Sequence, residues 1–490
     1  MPCETEAGDR NPRRAEIGWP PVVVAGAFQT GIVLMRTLAR RGVETCCVDC
    51  LPTQPGFKTV YGRAFLCPNP DERPAEWAAF MCGLARKIGR KPVLISSADQ
   101  FVSAIAAHAS ALKDHFIFLE TSAATQELLA TKKRQYDIAE ANGLPVPRTR
   151  FVQSREELME FAAGARFPCL LKPVHFREWQ RFPPGHPLLD EKVTLAYSMA
   201  ELAEKYALAE SVTSQLVVQE VIEGPDTAKL VYLSCYARDG RRLGGCLLRE
   251  VRTNPIYFGS ASVVEPVQDD ETDALCDGFL RSLGYAGICE LELKRDSRDG
   301  RVKLIEANPR YSVTADAAPY GGVDIGWLHY LDLIGRPVSP VKPALRHYRH
   351  IVLSRDFGCY RSYLNAGLLT WRELLRSYRP PVAFFDFDPY DVRVTWDNVV
   401  ALAKTLLVGP YRRLFPKRPR SEPIAAGDRG ESALELVAPD RRSGGDRVGS
   451  EPIAAGDSGE GALELVAPDR RSGGGAVPQD VVAVDAARHV

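Results

Sequence analysis

Two polar, strand-like segments joined by a charged turn constrain this 490-residue chain more than any other feature. The first segment reads GICELELK at positions 287–294, and the second reads VKLIEANPR at positions 302–310. Residues two apart in a strand point to the same face, so the acidic positions of each segment share a face. The turn between them, residues 295–300, is rich in turn-forming residues and ends in Gly, which predicts a β-hairpin.

Polar side chains on this hairpin predict a site for a metal ion and phosphate. Glu292, Glu306 and Asn308 offer two carboxylates and an amide, an all-oxygen set of the kind that Mg²⁺ uses when it also holds substrate phosphates. Arg310 lies two residues beyond the amide and adds a partner for phosphoryl oxygens. Glu290 shares the face of Glu292, so either is a candidate metal ligand. An edge hairpin whose acids only face water is the alternative interpretation.

Three further motifs precede the hairpin in the sequence. Lys132 lies in a basic segment about eleven residues before a Gly-Leu-Pro turn, with Lys133 as the near alternative. The strand-like segment PCLLKP supplies Lys172, and the extended segment LVVQEVIEGPD follows at positions 216–226. Together with the hairpin, these motifs resemble those of the ATP-grasp superfamily, and the resemblance covers residues from about 130 to 310.

The resemblance implies a nucleotide-binding role for each motif. Lys132 and Lys172 would lie against the α- and β-phosphates as compact point charges. Backbone groups near Glu220 and Ile222, in the hinge between the two lobes, would pair with the adenine edge, and Asp226 would accept hydrogen bonds from the ribose hydroxyls. The implied ATP-binding residues are Lys132, Lys172, Gln219, Glu220, Val221, Ile222 and Asp226.

The resemblance also implies a metal centre. Its ligands would be Glu292, Glu306 and Asn308. They would hold Mg²⁺, or Mn²⁺ as an alternative, on the β- and γ-phosphates, while Arg310 and Lys172 offset charge on the transferring group as the catalytic pair. The spacing from Glu306 in the family pattern ranks Glu292 ahead of Glu290.

The implied reaction is an ADP-forming ligation that makes a C–N bond. A substrate carboxylate attacks the γ-phosphorus to give an acylphosphate, and an amine then displaces phosphate. Arg249 and Arg252, in the segment LLREVR beyond the hinge, are candidate holders of the carboxylate. Three alternatives stay open: a bicarbonate-using carboxylase of the same fold, a non-catalytic ATP-binding regulator, and a nicotinamide enzyme.

Strand and helix patterns alternate in residues 21–125, which predicts a parallel Rossmann-like sheet with helices on both faces. Its first turn, from Gly26 to Gly31, lacks both the G-x-G-x-x-G fingerprint and a P-loop Lys, which disfavours a dinucleotide site. The predicted fold class is α/β, with α+β grasp lobes. The predicted units are a flexible N-terminus at 1–20, the Rossmann-like domain at 21–125, a two-lobed ATP-grasp domain at 126–340, a C-terminal helical appendage at 341–416 and a disordered tail at 417–490.

The tail contains a duplication. The sequence SEPIAAGD begins at Ser421 and begins again 29 residues later at Ser450. Two copies rich in Pro, Gly and charged residues are too few and too polar to bury a core. We therefore expect this tail to be disordered.

Composition limits the kinds of partner. The formal net charge is +0, so bulk charge favours neither nucleic acid nor an anionic membrane. The sequence opens with no signal-type apolar run and contains no uncharged segment long enough to span a bilayer, so we expect a cytoplasmic protein without an integral membrane segment. The expected partners are small carboxylate and amine substrates, with a homodimer left open.

Overall fold

The computed structural model describes residues 18–122, 125–126, 128, 131–174, 176–183, 185–189, 193–213, 215–344 and 347–414. The predicted tail at 417–490, with its duplication, lies outside the described residues, as do residues 1–17. Among the described residues, no helix combines the length and the apolar character needed to cross a membrane.

The N-terminal part is a parallel four-stranded sheet in the order β3-β2-β1-β4. Three of its strands, β1, β2 and β4, are almost entirely buried and rich in Val and Cys, as expected when helices cover both faces of a parallel sheet, whereas the edge strand β3 is partly exposed. The strands are β1 (Val22–Ala25), β2 (Thr45–Asp49), β3 (Arg63–Leu66) and β4 (Val93–Ser96). The helices are α1 (Gln29–Ala39), α2 (Pro74–Ile88), α3 (Asp99–Ala107) and α4 (Ala109–Leu112).

The two glycines of the first turn serve close packing. Gly26 has a φ of 111°, in the region that favours glycine, and a Cβ there would lie 2.4 Å from Ser97 Oγ. A Cβ on Gly31 would lie 2.0 Å from the Gly26 carbonyl oxygen. Backbone packing therefore accounts for the G-x-x-x-x-G spacing without a dinucleotide.

A second, antiparallel sheet has the order β5-β8-β6-β7 and packs against two helices. Both helices begin with a serine cap, Ser154 and Ser198, whose hydroxyl accepts from a backbone N–H of the first turn. Their apolar faces meet the sheet around the fully buried Trp179. The elements are α5 (Lys132–Ala141), β5 (Thr149–Val152), α6 (Arg155–Ala163), β6 (Cys169–Pro173), β7 (Thr194–Ala196), α7 (Met199–Glu210) and β8 (Leu216–Glu220).

The third sheet is the largest, with seven strands in the order β13-β12-β9-β10-β11-β14-β15. One face packs on the N-terminal sheet through a shared core, and the other packs on α5 and α8. The strands are β9 (Lys229–Tyr236), β10 (Arg242–Asn254), β11 (Ser260–Pro266), β12 (Gly287–Arg295), β13 (Val302–Asn308), β14 (Arg349–Ile351) and β15 (Val382–Phe384). The helices are α8 (Asp270–Ser282), α9 (Ile325–Leu333), α10 (Leu353–Asn365), α11 (Trp371–Ser377) and α12 (Val392–Leu414).

Two predicted boundaries differ from the structure. The segment predicted as a helical appendage contributes β14 and β15 to the large sheet, because the edge of β11 offers unpaired backbone groups that β14 satisfies. The N-terminus predicted to be flexible through residue 20 contains Trp19, whose ring lies edge-on to Trp327 with centroids 5.5 Å apart. This edge-to-face aromatic contact therefore orders the chain before β1 begins.

Candidate active site

The predicted hairpin forms from β12 and β13, which pair antiparallel. Glu292 lies opposite Glu306, and Glu290 lies opposite Asn308. The Asn308 amide donates to Glu290 Oε1 at 3.3 Å and to Glu292 Oε1 at 3.4 Å. A β-bulge at Ile305 leaves that residue without an opposing partner, so the apolar residues before it and the polar residues after it point to opposite faces. The polar groups thus converge on one face.

The electrostatics of this face suit a cation. Burial raises the pKa of Glu292 well above its ordinary value, and the nearby charges of Glu306, Glu290 and Glu250 raise it further. A divalent cation would offset this crowded negative charge, so the donor set fits the implied Mg²⁺. No group of three His, Cys, Asp or Glu side chains among the described residues is arranged to hold a metal ion. The third member of the predicted ligand set is the amide of Asn308, which is not one of these residue types.

The two candidate glutamates have different surroundings. Ser312 Oγ donates to Glu290 Oε2 at 2.6 Å, and the Thr314 hydroxyl donates to the same oxygen. Glu290 is thus held by protein donors, whereas Glu292 faces Glu306 directly across the hairpin. This difference supports the ranking of Glu292 first.

Lys132 and Lys133 point in different directions. Thr131 caps α5 by accepting from Arg134 N, which places Lys132 at the start of the helix. Lys132 Nζ lies 3.4 Å from Glu306 Oε1. Burial alone would lower the pKa of Lys132, but Glu306 raises it overall. Lys133 Nζ instead lies over the Phe151 ring, 5.6 Å from its centroid.

Lys172 lies on β6, near the pair formed by Lys132 and Glu306. Burial lowers its pKa to about 8, and the charge of Lys132 contributes to the lowering. The ammonium groups of Lys132 and Lys172 are close enough for their charges to repel, so together they create a region of positive potential. Such a place suits a polyphosphate, whose negative charge would favour both ammonium groups.

The hinge residues are partly committed to protein contacts. Gln219 Nε2 donates to Thr149 Oγ1 at 2.8 Å and to Tyr136 Oη at 3.2 Å. Glu220 is buried, and its Oε1 accepts from Arg166 N at 2.8 Å. The side chains of Gln219 and Glu220 therefore stabilise the hinge through contacts within the protein. We expect the backbone of the hinge, rather than these side chains, to contact adenine.

Val221 has both backbone groups paired. Its N–H donates to Pro168 O at 3.0 Å, and its carbonyl oxygen accepts from Arg298 Nη2 at 2.6 Å. The Val221 N–H is thus not available to adenine, and its carbonyl oxygen already has one donor, so we take Ile222 as the first backbone candidate for the predicted adenine contact. Arg298, in the β12–β13 turn, is a residue that the sequence analysis missed, because its contact with the hinge spans 77 positions of sequence.

Asp226, the predicted ribose ligand, is only 4% exposed. Its Oδ2 accepts from Tyr257 N at 3.0 Å and from Tyr363 Oη at 2.5 Å, and Lys229 Nζ lies 3.3 Å from its Oδ1. Burial would raise the pKa of Asp226, but Lys229 and these donors hold it below its usual value. Sequence reasoning missed Tyr363, because it lies 137 positions downstream and no local motif marks it.

Arg310 connects the hairpin to the N-terminal sheet. Its Nε donates to Asp99 Oδ1 at 2.7 Å, and its Nη2 lies 3.5 Å from Asn308 Oδ1. A cleft of about 580 Å³ opens beside it, with Ser96 and His329 in its lining. Asp99 stands at the carboxyl edge of the parallel sheet, where ligands approach such sheets.

The prediction of Arg252 as a substrate contact is wrong. Its side chain is buried and pairs with both carboxylate oxygens of Asp356, at 2.7 and 2.8 Å. It also donates to Ser377 Oγ at 3.0 Å. The β-bulge in β10 near this position turns the side chain into the C-terminal core. Arg249 is partly exposed and pairs with Glu265.

Comparisons of the sequence find distant relatives. No protein-family model matches the chain. The chain is 26% identical over 250 residues to the D-aspartate ligase of Enterococcus faecium, which covers 48% of this chain and 57% of that protein. It is 26% identical over 176 residues to the carbamoyl phosphate synthase large chain of Methanobrevibacter smithii, which covers 34% of this chain and 15% of that protein. The chain thus spans little more than half of the first relative and a small part of the second.

A similar solved structure is the N5-carboxyaminoimidazole ribonucleotide synthetase from Thermus thermophilus. The TM-score is 0.53 at 15% sequence identity, over 81% of this chain and 99% of that chain. The N5-carboxyaminoimidazole synthetase from Staphylococcus aureus complexed with ADP also matches, with a TM-score of 0.53 and 13% identity over 72% of this chain and 87% of that chain. The chain has the ATP-grasp fold, and the predicted fold class is confirmed.

Proposed function

We propose that the protein is an ATP-dependent ligase that activates a substrate carboxylate as an acylphosphate and joins it to an amine, with release of ADP and phosphate. One observation carries the proposal: Lys132 Nζ lies 3.4 Å from Glu306 Oε1, Glu306 lies opposite Glu292, and Lys172 is near enough for the charges of Lys132 and Glu306 to change its pKa. Cations for a polyphosphate and carboxylates for its metal ions are the two parts that phosphoryl transfer requires.

The nucleotide would lie between the second and third sheets. The ammonium groups of Lys132 and Lys172 would bind the α- and β-phosphates, and the hinge backbone near Ile222 would receive the adenine. Glu292, Glu306 and Asn308 would hold Mg²⁺, which supplies charge neutralisation at the β- and γ-phosphates. Arg310 would then orient the acceptor carboxylate and offset charge on the transferring group.

The cleft beside Arg310 suits the acid and amine substrates. It lies at the carboxyl edge of the parallel sheet and reaches the start of β12, next to the predicted metal ligands. The guanidinium of Arg310 is already oriented by Asp99, so little ordering remains when a carboxylate binds. The amine would enter the same cleft once the acylphosphate has formed.

The proposal is tested by release of ADP from Mg·ATP in the presence of pools of carboxylates, with amines or with hydroxylamine. Hydroxylamine traps an acylphosphate as a hydroxamate, so we expect hydroxamate with the wild type and a loss of about 100-fold or more with Glu306→Ala. Glu76→Ala is the control, because Glu76 lies on α2 and forms an exposed pair with Arg73.

Three outcomes would contradict the proposal or part of it. Nucleotide binding without ADP release for any pool would favour a non-catalytic regulator. ADP release that depends on bicarbonate, with no hydroxamate from any other acid, would favour the carboxylase alternative. Equal activity of Glu306→Ala and Glu76→Ala would remove Glu306 from the metal centre.

A further inference from the structure

Three buried polar groups near Asp226 lack a hydrogen-bond partner among the described residues. They are Asp226 Oδ1, Glu250 Oε2 and the Tyr257 hydroxyl. Lys229 Nζ lies between the two carboxylates, 3.3 Å from Asp226 Oδ1 and 3.8 Å from Glu250 Oε2. Buried polar atoms are nearly always hydrogen-bonded in folded proteins, so such a cluster indicates a place where a polar ligand completes the bonding.

The backbone next to this cluster is strained. Tyr257 has a φ of 70°, a conformation that an aromatic residue rarely adopts. In this conformation its N–H donates to Asp226 Oδ2 at 3.0 Å. Strain of this kind persists where the surrounding structure holds it, and it concentrates at binding sites. The loop that carries Tyr257 packs on α10 through Cys359 and Tyr363.

The hydrogen bonds of Tyr363 fix where its own proton points. Its hydroxyl oxygen accepts from Thr253 N at 2.9 Å, so its proton is left to donate to Asp226 Oδ2 at 2.5 Å. Asp226 Oδ2 therefore receives two donors, from Tyr257 N and from Tyr363. This arrangement fixes the plane of the carboxylate and leaves Oδ1, which lies 3.3 Å from Lys229 Nζ but has no hydrogen bond, to accept from a ligand.

We propose that Tyr363 is a positioning residue that orients Asp226 for the ribose hydroxyls of the nucleotide, so that helix α10 belongs to the nucleotide site. This inference rests on the proposed function. The ribose hydroxyls would supply the donors that Asp226 Oδ1 and Glu250 Oε2 lack. The nucleotide site would then include a residue from a segment that follows the metal-binding hairpin by more than fifty positions.

The test compares the affinity of wild type and Tyr363→Phe for ATP, 2′-deoxy-ATP and 3′-deoxy-ATP by calorimetry. We expect the Kd for ATP to rise about tenfold in the variant, as for loss of one hydrogen bond to a charged group. The preference for ATP over the deoxy analogue that lacks the contacted hydroxyl should fall by a similar factor. A merely structural role would weaken all three nucleotides equally.

Tyr378→Phe is the matched control. Tyr378 is a neighbouring tyrosine whose hydroxyl also donates to a buried carboxylate, that of Asp356, without contacting Asp226. It should lower thermal stability by a similar amount and leave the preference for ATP over the deoxy analogues unchanged. Asp226→Asn should reduce that preference, and combining it with Tyr363→Phe should add little, because both changes act on one contact.

The outcomes separate this inference from the proposed function. If the wild type binds no adenine nucleotide, the proposed function fails. If the wild type binds ATP and Tyr363→Phe keeps the full preference over both deoxy analogues, only the positioning role is overturned. If Tyr363→Phe does not fold, hydrogen exchange of the wild type decides: ATP should protect the amides of α10 (Leu353–Asn365) more than the deoxy analogue does, and equal protection would overturn the inference.

Discussion

At the scale of single residues, the structure distinguishes the two adjacent lysines at the start of α5. Sequence spacing alone left Lys132 and Lys133 as alternatives. In the structure, Lys132 pairs with Glu306, whereas Lys133 lies over the ring of Phe151. Successive residues of a helix point about 100° apart, so only one of two neighbours can face a given site.

This difference gives a direct prediction. Lys132→Met should raise the KM for ATP or lower kcat by about 10- to 100-fold, because one charge-assisted contact with phosphate is lost. Lys133→Met should change either constant by less than about twofold, since it removes only an exposed cation–π contact. Steady-state kinetics with varied ATP measures both. A larger effect at Lys133 would reverse the assignment.

At the scale of elements, the β12–β13 turn supports the hinge. Asp296 is fully buried and accepts from Lys303 Nζ at 2.6 Å and from Arg298 Nη2 at 2.8 Å. Arg298 in turn donates to the carbonyl oxygen of Val221. The turn that closes the β12–β13 hairpin therefore also fixes the hinge segment at Val221, next to the proposed adenine contact.

Asp296→Asn should lower the free energy of unfolding by about 3 kcal/mol at pH 7, because it leaves two cations near a weaker acceptor. Burial would raise the pKa of Asp296, but Arg298 and Lys303 hold it far below its usual range. Because the pKa of Asp296 is lower in the folded state than in the unfolded state, its ionisation stabilises the folded state fully above the unfolded-state pKa, near pH 4. This stabilisation is lost as the pH falls from there towards the folded-state pKa. The difference between wild type and variant should thus shrink below about pH 4.

Urea unfolding from pH 3 to pH 8 measures this difference. The control is Asp239→Asn, since Asp239 is exposed and pairs with Arg241 at 3.7 Å. We expect it to change the free energy of unfolding by less than about 1 kcal/mol at any pH. A pH-independent effect of Asp296→Asn would show that the carboxylate charge is not what stabilises the turn.

At the scale of the whole molecule, Arg36 joins three distant parts of the chain. It lies on α1, and its guanidinium is 2.7 Å from Asp316 Oδ1 and 3.3 Å from Asp388 Oδ2. Asp316 also bonds His350 Nε2 at 2.9 Å. The N-terminal sheet, the segment after the hairpin and the C-terminal segment thus share one buried ionic network.

Arg36→Met should lower the free energy of unfolding by about 3 kcal/mol, because it leaves Asp316 and Asp388 buried with fewer partners. Arg63→Met is the control, since Arg63 and Glu44 form an exposed pair worth less than about 1 kcal/mol. Chemical denaturation followed by fluorescence and circular dichroism measures both variants. Equal effects would mean that the network does not join the three parts energetically.

The fold class and the hairpin of β12 and β13 could both be predicted from the sequence. These features depend on local periodicity and on residues close together in the chain, which a pattern of side chains records directly. The same periodicity put Glu292, Glu306 and Asn308 on adjacent strands, although the bulge at Ile305 was needed to separate them from the apolar residues of β13.

The roles of Arg252, Arg298 and Tyr363 emerged only from the folded chain. Arg252 had the same sequence signal as a substrate-binding arginine, yet its partner Asp356 lies 104 positions away. Arg298 and Tyr363 reach the hinge and Asp226 from separate elements. Such contacts depend on how the sheets and C-terminal helices pack, and packing between distant segments leaves no local periodic pattern in the sequence.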